Sequence, residues 1–171
     1  ISEEDRVKNL ISQGESSITE FKATLRWNLE TNSKDKSMTY QCIKAIAGFL
    51  NSPYGGTLYV GVNDDTSING IEKDAFDDPD KAILYLTDKI ETSLTGGVYV
   101  ANMNFRPITV DEKVIIMVEV PPAITSPVYC KGPTKRDGRV FYVRKGTSTR
   151  PLTEEKAEGY IMERFGIGES E

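Results

Sequence analysis

The chain has 171 residues, 38% of them apolar, and a formal net charge of −5, which is enough for one packed core and too little for two, so a single domain is expected. It contains no histidine. That excludes histidine-based triads, histidine-ligated metals and imidazole acid/base chemistry, leaving carboxylates, Lys, Tyr and Ser/Thr for any reaction.

Two cysteines, Cys42 and Cys130, lie far apart without a metal-ligand spacing, so the simplest reading is a reduced, cytoplasmic protein. No apolar run approaches about 18 residues and no signal-peptide pattern is present, which predicts a soluble chain without a membrane partner. The chain opens on Ile1 rather than Met, as a trimmed chain or one domain of a longer polypeptide would.

In chain order, Val7, Leu10 and Ile11 recur at helical spacing behind an acidic first turn and before Gly14, predicting a short N-terminal helix within residues 1–14. Ile18 to Lys22 alternates as a strand, with Ile18, Glu20 and Lys22 on one face. Ala23 to Ser37 is polar apart from Leu25, Trp27 and Leu29, and reads as a mobile loop or a short extension. Ser37 can cap a helix from Met38 to Leu50, whose Ile43, Ile46, Ala47 and Leu50 form a buried stripe. After a turn cluster over Asn51 to Gly56, Thr57 to Val62 reads as a strand with Leu58, Val60 and Val62 inward. Gly61 leaves one position of that strand open to a neighbouring backbone or a ligand.

The I-N-G-I turn (Ile68 to Ile71) closes this unit. Asp78 and Pro79 start the next helix, with Ile83, Leu86, Ile90 and Leu94 as its stripe and Gly96-Gly97 as its end. Strands are predicted at Val98 to Phe105 and Val114 to Val120, the second nearly all apolar and therefore central. Pro121, Pro122 and Pro127 mark a loop. Arg139 to Arg144 alternates as a further strand, and Thr153 caps a last helix with Ala157, Tyr160, Ile161 and Arg164 on one side, before a tail over residues 166–171. The sum is an α+β fold of mixed sheet with flanking helices.

Two features carry chemistry. Glu15 and Glu20 sit five apart in E-S-S-I-T-E-F-K, and Asp64-Asp65 follow a later strand; three carboxylates brought together by strands can hold Mg²⁺ or Mn²⁺ against a phosphodiester and acidify a bound water. Lys22, on the strand face of Glu20, would steady developing negative charge. The competing reading is that Glu15 caps a turn, Glu20 pairs with Lys22, and the two aspartates shape a turn. The second feature is basic. Between residues 131 and 150 stand Lys131, Lys135, Arg136, Arg139, Arg144, Lys145 and Arg150 against one acid, Asp137, a local charge of +6 suited to phosphate. Phe141 and Tyr142 within it offer base stacking, although adjacent strand residues point to opposite faces and one ring is expected in the core. Gly55-Gly56 lacks G-K-[ST] and precedes a strand, so it reads as a turn pair and not as a phosphate-cradling loop.

The blocks E-S-S-I-T-E-F-K, K-A-I-A-G-F-L-N, G-G-T-L-Y-V-G-V-N-D-D, I-N-G-I and F-Y-V-R-K-G-T-S-T-R-P-L stand in an order that resembles the Schlafen-type AlbA-like domain. The resemblance spans Glu15 to Phe165 and implies a Schlafen/AlbA-like domain over residues 15–165. It implies a DNA- or RNA-binding module, often within transcriptional regulators, and in some members a divalent-metal-dependent endoribonuclease acting on structured RNA. On this resemblance the acidic triad falls on Glu15, Glu20 and Asp64, with Asp65 as the alternative third acid. Pairing of two AlbA-like units in Schlafens implies a homodimer here. A regulatory nucleic-acid-binding module, with RNA slightly favoured, thus heads the expectations, ahead of a three-carboxylate ribonuclease and a nucleotide-sensing or protein-interaction domain, the sensing form of which requires a closed pocket near Gly55 to Gly61.

Overall fold

The run from Lys113 to Val120 forms the strand around which the chain organises, because both of its faces are buried. Ile115 and Met117 face one apolar cluster while Ile116, Val118 and Val120 face another, which is the pattern of a central strand. In the computed structural model, which describes residues 1–166, the helices are α1 (Glu3–Ser12), α2 (Lys36–Asn51), α3 (Pro79–Ser93) and α4 (Glu154–Phe165). The strands are β1 (Thr19–Lys22), β2 (Trp27–Asn28), β3 (Ser33–Lys34), β4 (Gly56–Val60), β5 (Leu94–Gly96), β6 (Asn104–Val110), β7 (Lys113–Val120), β8 (Val128–Lys131), β9 (Arg139–Lys145) and β10 (Ser148–Leu152).

Two four-stranded sheets result, in the orders β1-β4-β7-β6 and β10-β9-β8-β5, with β2 and β3 as a separate pair. Only β1 and β4 run parallel within the first sheet. Between the sheets lies the main core, built from Ile43, Ile46 and Phe49 of α2, Leu86 and Ile90 of α3, and inward residues of both sheets. Val7 and Ile11 of α1 cover the other face of the first sheet against Phe21 and Tyr59. Ala157 of α4 covers the outer face of the second against Phe141 and Val143. The order of layers is helix, sheet, helices, sheet, helix, an α+β arrangement as expected.

Several boundaries differ from the sequence reading, each for a tertiary reason. Asp35, not Ser37, caps α2, its carboxylate accepting from the Ser37 N–H. Val62 lies with the α1-side cluster and not with Leu58 and Val60, because the chain turns at Gly61 with φ of +103°, and strand alternation ends there. The space that Gly61 leaves is filled by backbone: a Cβ would lie 3.0 Å from the Gly70 carbonyl carbon. The expected strand over Val98 to Phe105 is replaced by a 3₁₀ turn at Val100–Asn102 and a later start to β6. The short strands β5, β8 and β10 are too brief to read from sequence and exist through pairing with neighbours. Residues 167–171, most of the expected tail, lie outside the described residues.

The segment expected to be a mobile loop or a short extension is tied down. Asp74, fully buried, accepts from the Leu25 N–H at 3.0 Å and the Arg26 N–H at 2.7 Å, and Arg26 in turn donates to the Asp74 backbone carbonyl and stacks over Phe76. Leu25 is thereby held in the main core. Asp74→Ala would leave these buried N–H groups without an acceptor and should cost roughly 2–4 kcal/mol of stability, read as a lowered urea midpoint with an unchanged slope; a midpoint equal to that of the parent would show that the segment is held by packing alone.

Candidate functional site

Strand β1 brings Glu20 and Lys22 to one face, as the alternation predicts, and places their charged groups 3.4 Å apart. The second partner of Glu20 comes from the other sheet. Arg144 on β9 reaches across and its Nη1 donates to Glu20 Oε1. Its Nη2 donates to the backbone carbonyls of Ser16 at 2.7 Å and Thr19 at 3.0 Å, and its guanidinium lies 5.0 Å from the Phe49 ring centroid. The Arg144 side chain is only 2% exposed. This overturns the expectation that Arg144 belongs to an open phosphate-binding edge: it stands on the face of β9 that carries Tyr142 and meets α2, so its charge is consumed within the fold. Phe141 and Tyr142 are both buried, on opposite faces, and neither is available to stack a base.

Glu15 is placed by its own turn, its Oε2 accepting from the Phe21 N–H at 2.9 Å. Partial burial, followed by a hydrogen bond shared with Glu20, pushes the Glu15 carboxyl up to about 7, with the charges of Glu20 and Asp64 acting in the same direction. For Glu20, burial opposes ionisation, but the hydrogen bond from Glu15 and the cations Arg144 and Lys22 outweigh it and hold the group below the usual carboxylate range. One carboxyl thus keeps its proton and donates to the other. Asp64 is the aspartate whose charge reaches the pair, whereas Asp65 accepts from the N–H and hydroxyl of Ser67 and shapes the turn.

The metal that the resemblance implies does not fit this arrangement. Both oxygens of Glu20 face cations, and among the described residues no three acidic or sulfur side chains gather as a metal site. A hard divalent ion takes free ionised oxygen ligands, and here both Glu20 oxygens are matched by cations while Glu15 accepts from the Phe21 N–H. Instead, the charged groups border a polar pocket of about 200 Å³ lined by Glu20 and Lys22 of β1, Gln41, Lys44 and Ala45 of α2, and Thr147, Ser148 and Thr149. Sequence reading missed Gln41 and Lys44, which look like the ordinary wet face of a helix. Gly48 on the same helix lets this strand approach, since a Cβ there would lie 2.8 Å from the Thr149 methyl.

The remaining six basic residues, Lys131, Lys135, Arg136, Arg139, Lys145 and Arg150, are exposed along the second sheet and its loops. Lys131 pairs with Arg139 across β8 and β9, and Arg139 lies over the Tyr129 ring at 3.7 Å. The lone acid, Asp137, is turned inward on its own loop, accepting from the Thr134 N–H and hydroxyl. At Gly55 and Gly56 Cβ atoms would strike the Val120 carbonyl oxygen at 2.2 Å and the Phe49 ring at 2.3 Å, so both glycines serve close packing. Among the described residues no helix is long and apolar enough to cross a membrane.

Because Glu15 binds its proton more tightly folded than unfolded, its contribution to stability is complete below the ordinary carboxylate pKa and is lost as pH rises through about 7. Glu20 acts oppositely: its contribution is present above the ordinary carboxylate range and disappears as pH falls through its lowered pKa. Glu15→Gln keeps an acceptor for the Phe21 N–H and cannot titrate. Between about pH 5 and pH 8 the parent should therefore lose about 2 °C or more of melting temperature relative to this variant; parallel profiles would show that the two carboxyls do not share a proton.

The fold and the sequence both have matches among known proteins. The DIP2311 protein from Corynebacterium diphtheriae superimposes with a TM-score of 0.59 at 20% identity over 88% of this chain, and the chain spans 25% of that protein. The N-terminal domain of a RecG-related protein from Nitrosomonas europaea superimposes with a TM-score of 0.51 at 17% identity, covering 90% of this chain and 92% of that domain. No curated protein matches. The family profile described as Schlafen, AlbA_2 matches residues 15–153, from the first glutamate of the carboxyl pair to the cap of α4, and the chain belongs to that family.

Proposed function

We propose that the protein binds nucleic acid, with RNA slightly favoured over DNA, and acts as a regulatory module. The observation that carries this reading is the exposed basic rim of the second sheet, where Lys131, Lys135, Arg136, Arg139, Lys145 and Arg150 all face solvent in a chain whose net charge is −5. Cations exposed along one sheet of an acidic protein, from the β8–β9 end to the β9–β10 turn, attract a polyanion locally while acidic surface repels it, which orients the encounter. The fold shared with the RecG-related domain is in keeping with this reading. Since Phe141 and Tyr142 are buried, contacts fall on phosphate and sugar, and recognition proceeds by shape more than by base sequence.

The double variant Lys145→Gln/Arg150→Gln should weaken binding to a structured RNA and reduce the slope of log K against log salt by about 2, one for each lost phosphate contact. An unchanged slope would remove this rim from the interface. Metal-dependent cleavage of a tRNA or stem-loop, lost in Glu20→Ala, is the outcome that would return the carboxylates to chemistry and favour an endoribonuclease.

The pairing implied by the family's two-unit members belongs to the same reading. A two-fold homodimer would set two basic rims beside one groove, and light scattering at tens of micromolar protein should show twice the chain mass in the presence of RNA. A monomer with and without RNA would rule it out.

A further inference from the structure

The polar pocket between the sheets is built for an anion and too small for a nucleotide. Its volume of about 200 Å³ falls below the roughly 300 Å³ at which sites for drug-sized ligands begin. Apart from the Ala45 methyl its lining is polar, without an aromatic face on which a base could stack. Its donors are the Lys22 and Lys44 ammonium groups, the Gln41 amide, and the hydroxyls of Thr147, Ser148 and Thr149. The one carboxylate in the wall, Glu20, is already matched by Arg144, so the two lysines leave a positive surplus. Among the described residues the Lys44 ammonium has no carboxylate partner and lies 5.4 Å from the Tyr142 ring centroid, and the Gln41 amide has no hydrogen-bond partner.

Charge and free oxygens decide which phosphate fits best. Strand β1, helix α2 and the β9–β10 turn border the pocket on three sides. An internal phosphodiester offers one charge and two free oxygens to this set of donors. A terminal phosphate monoester has one ester bond, a net charge near −1.5 to −2 at neutral pH, and three free oxygens to distribute among lysines and hydroxyls. Lys145 and Arg150 bracket the pocket-lining residues 147–149 in sequence, so a strand tracked along the basic rim has its end delivered beside the pocket.

We propose that this pocket receives the terminal phosphate of a nucleic acid strand bound along the basic rim. The inference rests on the nucleic-acid reading above and adds to it a preference for phosphorylated ends. Fluorescence anisotropy with matched RNA and DNA oligonucleotides bearing a 5′-phosphate, a 3′-phosphate or only hydroxyl ends tests it and identifies which end is held. One phosphorylated end should bind about tenfold more tightly than the hydroxyl form. Lys44→Ala should erase that difference, and Lys44→Arg, which restores the charge, should recover it. Equal affinities for all ends would overturn the pocket while leaving the basic rim intact; a preference that survives in both Lys44→Ala and Lys22→Ala would place the phosphate elsewhere and overturn it equally. Absence of binding to every oligonucleotide would defeat the nucleic-acid reading and this inference together.

Discussion

The buried pairing of Glu20 with Arg144 is the interaction on which the site depends, because it joins two sheets that share no strand. Such a pair is weak evidence for net stability, since both charges give up water to form it. Its value lies in placement. With one guanidinium Arg144 holds the Glu20 carboxylate, the Thr149 hydroxyl and the carbonyls of Ser16 and Thr19. The turn carrying Glu15, the strand carrying Lys22 and the hairpin carrying residues 147–149 are thereby held in mutual register. Removing Glu20 would leave the Arg144 charge buried without a counter-ion, at a cost of about 3–5 kcal/mol, and would release the walls of the pocket.

This pairing also sorts the charges of the chain into two populations. Arg144 is inside and neutralised, whereas its neighbours in sequence on the same hairpin remain exposed. A carboxyl pair with divided proton affinity follows: Glu20, next to two cations, stays ionised, and Glu15, lacking one, holds a proton near neutrality. The charge of Glu20 in the pocket wall is matched by its two cations, and the second carboxyl behind it adds less negative charge under the conditions in which a polyanion would approach. The carboxyl pair and the basic rim thus belong to one electrostatic arrangement.

The long elements were legible in the sequence because their patterns are internal to them. The stripes of α2 and α3, the double-sided apolar run of β7 and the alternation of β9 each report their own burial. Strands β5, β8 and β10 were not, since three to five residues hold too little pattern and their existence depends on partners far along the chain. The co-location of Glu20 and Lys22 was readable from strand alternation, but the destination of Arg144 was not. An arginine at an alternating position looks the same whether solvent or a carboxylate awaits it. Gln41 and Lys44 were hidden for another reason, as polar residues on a helix that reports only its apolar stripe.

Asn51 extends the same logic to the far side of the second sheet. Its buried amide bonds to the backbone of Val128 and Tyr142, while its own carbonyl accepts from Tyr160 and Arg164 of α4. The carboxyl end of α2 is thus fastened to two strands and a helix, so α2 acts as a fixed beam between the sheets. Gly48 lies one turn before that fastening, where only the absence of a Cβ admits Thr149. The aperture of the polar pocket is consequently set by a residue that contributes nothing to its lining. Selectivity for the size of an anion can then change through the spacing of a helix and a strand, with every polar group of the pocket left in place.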